Sequence, residues 1–513
     1  MKVALISPYE SIASYGVRII SATLKQQGRT TGIFFIPLPF EIEYSENLLN
    51  GLVNLLKNYD VVGISLSSNY FDRAVQLTRW LKKEGSWKIV WGGIHPTISP
   101  EECLAFADFV VMGEGEIVFP ELIKAIEKGN GVEKIKGVAY CEKTPDGGTT
   151  IRKNPPMPPI QNLDEIPFPD YSFEEHYIWS GAPEGIGAQG DKETTFFPNK
   201  DELKDQTRDL WIPLTRELLL ANTGGDYLTL SSRGCPHSCT FCCNNFLKRF
   251  YEGDKWFRKR SIDNLLLELH YIKKNHPYFM RIYYDDDAFM NRPLEELKLF
   301  SERIKKEIGL PFVITGVTPL SLTEEKLKTL LDGGLQWIRL GVQTISERVN
   351  KEIYCRQGNS KAIKNAVEII RKYHKKMSPV WYDFIIDNPW ETKKENLETL
   401  RFILDLPRPF SMCVYSLTYF PGTQLAQKAL KEGVIRDLRT QVYKKSYKAY
   451  ESSYVNNLFL FFTLSRLPRW ILKLFINKWI IFSGFNYPLW WCYTCLRDWK
   501  ARRLSRHSRK KVI

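Results

Sequence analysis

Two hydrophobic rhythms alternate through the first 140 residues. Short apolar runs in "KVALISP", "VVGISLSS", "KIVWGG" and "FVVMGEGE" each end at Gly, Ser or Pro, and helix-period segments such as "GVRIISATLKQQG", "FDRAVQLTRWLKKEG" and "FPELIKAIEKG" lie between and after them. Strands apolar on both faces and separated by amphipathic helices predict a buried parallel sheet of the open, doubly wound α/β kind. Ligands of such sheets sit beyond the carboxyl ends of the strands. Those ends carry Ser7, Ser65, Gly92, Gly93, Gly113, Glu114 and Glu116, with His95 close behind. The glycines either let a flat ligand approach the backbone or simply make tight turns.

The rhythm lapses over residues 141–226. "NPPMPPIQNLDEIPFPDYSF" (154–173) cannot continue a helix or a central strand and predicts a stiff surface linker, and 178–226 mix Gly, Pro and charge without period. From Tyr227 the alternation resumes. Six pairs of β-run and helix follow to about residue 430, including "SIDNLLLELHYIKKNHP" with Ser261 as its N-cap. That succession predicts a partial (β/α)6 TIM-type barrel with its active face at the strands' carboxyl ends. Residues 431–513 form a helical, aromatic and basic C-terminal region.

Composition narrows the class. At 513 residues the chain exceeds what a single core fills, which predicts two domains or more. Ten cysteines are too sparse for a disulfide scaffold and suggest metal or redox chemistry in the reducing cytosol. The apolar run near Met1 is too short for a signal peptide. Of the net charge of +14, the last 48 residues hold twelve Lys/Arg against Asp498, a balance of +11. Within 454–499 no run reaches 18 residues without a charge or proline, which argues against a transmembrane helix. Trp and Phe between basic residues predict a helix lying on the inner membrane surface; an ordinary helical subdomain packed on the barrel is the alternative. The interleaved Trp and Leu speak against a nucleic-acid tail. Cys492 and Cys495 form a C-x2-C without partner ligands.

Chemistry concentrates in "SSRGCPHSCTFCCNN" (231–245), where Cys235, Cys239 and Cys242 follow C-x3-C-x2-C at the end of the first barrel strand. Thiolates suit zinc or iron–sulfur clusters. Three thiolates on a four-iron cubane leave one iron open to a chelating substrate or cofactor. The alternative is a structural zinc site that recruits Cys243 or His237.

"RGCPHSCTFC" resembles the signature of radical S-adenosylmethionine enzymes, in the branch with an N-terminal cobalamin-binding domain. "GGIHPT", "VVMGEGE", "LDEIPFPD", "YYDDDAF", "RLGVQTISERV", "PWETKKENLETL" and "YFPGTQLAQKAL" resemble landmarks of the same family in the same order, over roughly residues 1–430. The resemblance implies a cobalamin-binding-like Rossmann domain over 1–140 and a radical S-adenosylmethionine barrel over 227–430. Cys235, Cys239 and Cys242 would then hold a [4Fe-4S] cluster whose open iron takes the amino and carboxylate groups of S-adenosylmethionine. Asp286 and Asp287 would accept from the methionine ammonium, an acidic cap on a helix N-terminus being the alternative for the pair, with Gln343 near the ribose and Gly316 also binding S-adenosylmethionine. One electron from a reductant such as flavodoxin or ferredoxin would release a 5′-deoxyadenosyl radical, and cobalamin would either supply a methyl group or relay an electron. The implied reaction is methylation or C–C bond formation at an unactivated carbon of a hydrophobic lipid, isoprenoid or tetrapyrrole. Modification of RNA or of a soluble metabolite or peptide is one alternative, and a non-catalytic zinc- or cobalamin-binding scaffold is another.

Two segments depart from the family pattern. "SPYESIASYG" replaces the Asp-x-His-x-x-Gly fingerprint and brings no histidine for cobalt, while His95 is expected to be structural. "DNPWET" replaces Gly-x-Pro-Gly-Glu-Thr, adding Asp387, Asn388 and Trp390 on the substrate side. Cys355, after the "GVQ" strand, is either an additional radical or proton donor or incidental.

Overall fold

Nine strands form the first sheet in the computed structural model, which describes residues 1–181, 209–464 and 468–476. They are β1 (Val3–Ser7), β2 (Thr31–Phe35), β3 (Val61–Ser65), β4 (Lys88–Gly92), β5 (Phe109–Val111), β6 (Val138–Lys143), β7 (Thr149–Lys153), β8 (His176–Trp179) and β9 (Trp211–Pro213), in the order β7-β6-β5-β4-β3-β1-β2-β8-β9. The central strands from β5 to β8 pair in parallel, and antiparallel pairs close both edges. Both faces of β1 and β2 are buried, as their unbroken apolar runs require.

The expected boundary at residue 140 does not hold. β7, β8 and β9 come from the stretch expected to be linker and insert, and they extend the first sheet. At four and three residues, β8 and β9 are too short to show a period of two. Their place is set by tertiary contacts: the Ile33 N–H donates to His176 Nδ1 at 3.2 Å, and His176 Nε2 lies 3.1 Å from Asp170. The end of the proline-rich linker docks too, with the buried Arg18 guanidinium donating to the Asp170 carbonyl at 2.7 Å and lying 4.2 Å from the Tyr171 ring centroid.

The second sheet contains β10 (Asp226–Thr229), β13 (Arg281–Tyr284), β14 (Phe312–Val317), β15 (Leu335–Gln343), β16 (Val380–Ile386) and β17 (Phe410–Ser416), all parallel and in chain order. A two-residue hairpin of β11 (Ser232–Arg233) and β12 (Arg258–Lys259) stands between β10 and β13. No ladder joins β17 to β10 among the described residues, so the barrel is partial. Along β15 the alternation is plain. Ile338, Leu340 and Val342 are buried, whereas Trp337, Arg339, Gly341 and Gln343 are half-buried. The helix Lys393–Leu404 starts on a capping box between Thr392 and Glu395. Thr392→Ala should cost about 1 kcal/mol of stability in urea titrations.

The helix Tyr454–Leu464 packs against β17 and the helix Lys393–Leu404, with Leu458 and Phe459 fully buried. This corrects the expectation of a membrane-lying segment from 454 onward, because the barrel covers the first part of that apolar surface. Trp470 and Leu474 remain exposed. Residues 477–513, with Cys492, Cys495 and most of the basic tail, lie outside the described residues. Among those described, no helix is long and apolar enough to cross a membrane.

Candidate active site and cofactor-binding face

The cysteine loop leaves β10 through a clamped turn. Both Asp286 oxygens accept from the Ser231 N–H, at 3.1 and 3.0 Å, and the hydroxyls of Ser231 and Ser232 donate to the same carboxylate. Arg292 donates to the carbonyls of Ser231 and Arg260 at 2.6 and 3.0 Å. Further along, the Thr240 N–H and hydroxyl donate to the carbonyls of Tyr354 and Ile353, and the Leu425 N–H donates to the Thr240 carbonyl. The loop is therefore held by the carboxyl ends of several barrel strands at once.

Cys235, Cys239 and Cys242 interact electrostatically with one another, and Cys235 and Cys242 also with Asp287. Burial pushes the Cys235 thiol up to about 12 and the Cys239 thiol up to about 11, with the Arg356 guanidinium, hydrogen-bonded to Cys239, opposing the latter. Cys243 opens the helix Cys243–Phe250 and is hydrogen-bonded to Cys242, whose sulfur also accepts from Asn244 Nδ2 at 3.8 Å. Among the described residues no three His, Cys, Asp or Glu side chains converge as one bound ion demands. A cubane asks for something different, since each cysteine ligates a separate iron. Three thiols on one loop, each within the field of the others, with a guanidinium beside Cys239 fit that group.

The acidic run divides unexpectedly. Asp286 is buried and its carboxylate is taken up by the Ser231–Ser232 turn, which corrects its expected contact with a ligand ammonium. Asp287 opens to the cleft beside the cysteines; desolvation, with Asp286 and Asp285 adding, raises its carboxyl to about 6 against a hydrogen bond from Asn244. Asp285 accepts from the Thr315 hydroxyl at 3.1 Å. Gly316, at φ +64°, is required by this turn, because a Cβ there would stand 2.2 Å from the Asp286 carbonyl. Gln343 ends β15 at φ +69° with its amide folded over Gly341, and Arg356 donates to the carbonyls of Gly341 and Val342 at 2.6 and 2.8 Å. Cys355 is exposed, at φ +46°, and Asp387 has φ +58°. Three non-glycine residues in the left-handed region thus cluster at the barrel's carboxyl end, where strained backbone marks functional sites.

Sequence reasoning missed the polar interior of the barrel. Arg339 Nε donates to both Asp383 oxygens, at 2.8 and 2.9 Å, and its Nη2 contacts the Tyr415 hydroxyl. Below them Trp337 lies 5.8 Å from Trp381 and 5.7 Å from Tyr283, ring centroid to ring centroid. An Arg and an Asp at alternating positions of apolar strands were the available signal. A cavity of about 1020 Å3 opens where Glu41, after β2, meets the Asp387–Asn396 loop after β16, Thr418 and Tyr419 after β17, and the segment 434–456. The loops after β16 and β17 and one residue of the first domain, Glu41, thereby border one void.

At the first sheet, Ser7 Oγ lies 2.7 Å from Ser14 Oγ, Tyr9 is hydrogen-bonded to Ser65 and Ser67, and the Tyr9 and Tyr70 rings meet edge-on at 5.1 Å. Gly92 and Gly93 lead from β4 into the helix Ile94–Ile98. Hydroxyls and aromatic faces at these strand ends fit a flat macrocycle held without a protein imidazole. His95 is buried between Phe71 and Tyr443, hydrogen-bonded to Ser68, and burial lowers it to about 4. Gly113, Glu114 and Glu116 do not face a ligand and are corrected: they meet the barrel, through Tyr251, Arg258 and Arg233.

The Radical SAM superfamily model matches residues 229–403, and the B12 binding domain model matches residues 1–123. An uncharacterized methyltransferase, PH0819 of Pyrococcus horikoshii, is 26% identical over 463 residues, covering 86% of each chain. The anaerobic magnesium-protoporphyrin IX monomethyl ester cyclase of Rubrivivax gelatinosus is 27% identical over 360 residues, 68% of this chain and 55% of the cyclase. In fold, the radical S-adenosylmethionine methyltransferase TsrM of Kitasatospora setae superposes with a TM-score of 0.61 at 14% identity, covering 84% of this chain and 76% of TsrM. With these two domains in this order and three cysteines on the loop between the first barrel strand and its helix, the protein belongs to the radical S-adenosylmethionine enzymes with an N-terminal cobalamin-binding domain, and its cofactors are a [4Fe-4S] cluster, S-adenosylmethionine and cobalamin.

Proposed function

We propose that this enzyme methylates, or closes a carbon–carbon bond at, an unactivated carbon of a large hydrophobic substrate with polar edges, a tetrapyrrole being the class the cavity suits best. The observation that carries this reading is the cavity of about 1020 Å3. Small-molecule sites span roughly 300–1,000 Å3, so the space matches a macrocycle better than a small metabolite. Tyr419, Val434, Ile435 and Val455 offer apolar wall, while Lys444 and Lys445 stand where acidic side groups would meet cations. A pure hydrocarbon would leave those polar groups dry and unpartnered.

When bound, the cofactors supply reductive sulfonium cleavage and a transferable methyl group. The chain's own residues do the rest. Cys235, Cys239 and Cys242 would hold the cluster, and Asp287, open beside them, would accept from the ammonium of S-adenosylmethionine. Arg356 places positive charge next to Cys239 and braces the end of β15. Arg339, fixed by Asp383, presents hydrogen-bond donors inside the barrel, and the aromatic floor of Tyr283, Trp337 and Trp381 excludes water from its lower end. The test is anaerobic reconstitution with all three cofactors and reduced flavodoxin or ferredoxin, followed by mass spectrometry of added magnesium-protoporphyrin IX monomethyl ester and related tetrapyrroles. A gain of one methylene or a loss of two hydrogens is expected. Turnover confined to a small water-soluble compound would overturn the reading.

A further inference from the structure

We propose that the Gly113–Glu116 turn is a positioning clamp that sets the cysteine loop against the B12-binding domain, with Arg233 and Arg258 as its grips. The inference is independent of the substrate. Arg233 lies two residues before Cys235, on the β11–β12 hairpin. Its guanidinium bridges Glu114 at 3.3 Å and Glu116 at 2.5 Å. Arg258, on the opposite hairpin strand and 1% exposed, grips both Glu114 oxygens at 3.0 and 2.8 Å and donates to the Ile160 carbonyl at 2.7 Å. The Ile160 N–H donates to Glu114 in return, so the linker is drawn into the same knot.

The turn is also fixed sterically. Gly113 has φ +83°, and the Tyr251 hydroxyl stands 2.2 Å from where a Cβ would project, accepting from the Glu114 N–H at 2.9 Å. Tyr251 immediately follows the helix that the cysteine loop feeds. One turn of the first domain thus holds Arg233 just before the cysteines, Tyr251 at the end of the helix after them, and Arg258 on the strand that pairs back with β11. The four charged groups are at most 16% exposed, which keeps the pairs from being screened as surface pairs are. From the barrel side, Asp286 and Arg292 hold the same loop by separate contacts. The barrel contacts shape the loop itself, and the clamp sets its place relative to the strand ends of the first domain.

The two fates of S-adenosylmethionine read this out. One electron from the added reductant would break the bond between sulfur and the adenosyl carbon, leaving methionine and, once that carbon has taken a hydrogen atom, 5′-deoxyadenosine; transfer of the methyl group as a cation to two-electron-reduced cobalamin would leave S-adenosylhomocysteine. In reconstituted, reduced enzyme without substrate, Arg233→Met and Glu116→Gln should lower S-adenosylhomocysteine by about 100-fold, the size expected of a misplacement near 1 Å. Deoxyadenosine formation, iron content and cobalamin content should persist, and Arg233→Lys should restore much of the loss. Hydrogen exchange should rise together at 113–116 and 231–234. Glu116→Gln, the milder change, carries the test if Arg233→Met does not fold. An unchanged ratio of the two products, equal loss of both, or exchange that rises on one side alone would overturn the clamp.

Discussion

Replacing Cys235, Cys239 or Cys242 by alanine, one at a time, should abolish S-adenosylmethionine cleavage and the brown colour of the anaerobically purified protein, whereas Cys243→Ala should keep the colour and only weaken cleavage. The four thiols look alike in sequence, and two are adjacent. Their surroundings separate them. Cys243 is the first residue of a helix and is hydrogen-bonded to Cys242, an arrangement that pushes the Cys243 thiol well above its ordinary value and holds Cys242 below its own. Cys242 is then the sulfur ready to ligate, and Cys243 the donor that supports it. Loss of a group that merely hydrogen-bonds a metal ligand costs roughly 10–100-fold, so Cys243→Ala should stay within that range. Loss of a ligand removes the cluster and should exceed it. Iron and sulfide analysis, visible absorption and chromatography of 5′-deoxyadenosine decide the matter. A Cys239→Ala protein that still cleaves S-adenosylmethionine would remove the basis of the mechanism.

What could be read from the sequence follows from where the physics is local. Buried strands such as β1 and β3 announce themselves because both faces are apolar, and the six barrel strands because a helix of different period follows each. β8 and β9 were hidden, since seven residues in two pieces carry no period and only His176 and its neighbours fix them. The cysteine loop was legible because its spacing is the site. The neighbouring acids were not, because three successive aspartates differ only in what each meets: Thr315, the Ser231–Ser232 turn, or open cleft. Glu114 and Glu116 sit where ligand-binding residues of such sheets belong, and only the folded chain brings Arg233 and Arg258 to them. The helix Tyr454–Leu464 is the plainest case of a limit. Hydrophobicity says that its surface avoids water, and a bilayer and a barrel wall satisfy that equally.

Stability of the protein without bound cofactors should fall by about 3 kcal/mol between pH 4.5 and pH 7 on account of Glu391 alone. Glu391 stands in the "DNPWET" loop at the cavity wall, 9% exposed, with one oxygen accepting from the Thr344 hydroxyl at 2.5 Å and the other buried without a partner among the described residues. Burial raises its carboxyl from 4.5 to about 7, the nearby Glu395 adding to the shift and Arg348 opposing it. The folded chain therefore holds this proton more tightly than the unfolded chain. Below pH 4.5 both states are protonated and the stabilisation is fully present. As pH rises, the unfolded state gives up its proton first, so stability declines until the folded group ionises near 7 and then levels. Glu391→Gln keeps the acceptor for Thr344 but cannot ionise. Its stability should match the parent's at pH 4.5 and exceed it by about 3 kcal/mol above pH 7. Taking the difference between the two proteins at each pH, from urea midpoints, cancels Asp287 and every other titrating group. Parallel curves for parent and variant would mean that Glu391 finds a partner or water that its unpaired oxygen does not show. A curve that diverges as described would mark this carboxyl as protonated through mildly acidic pH, and hence as a hydrogen-bond donor at the wall of the cavity proposed to hold the substrate.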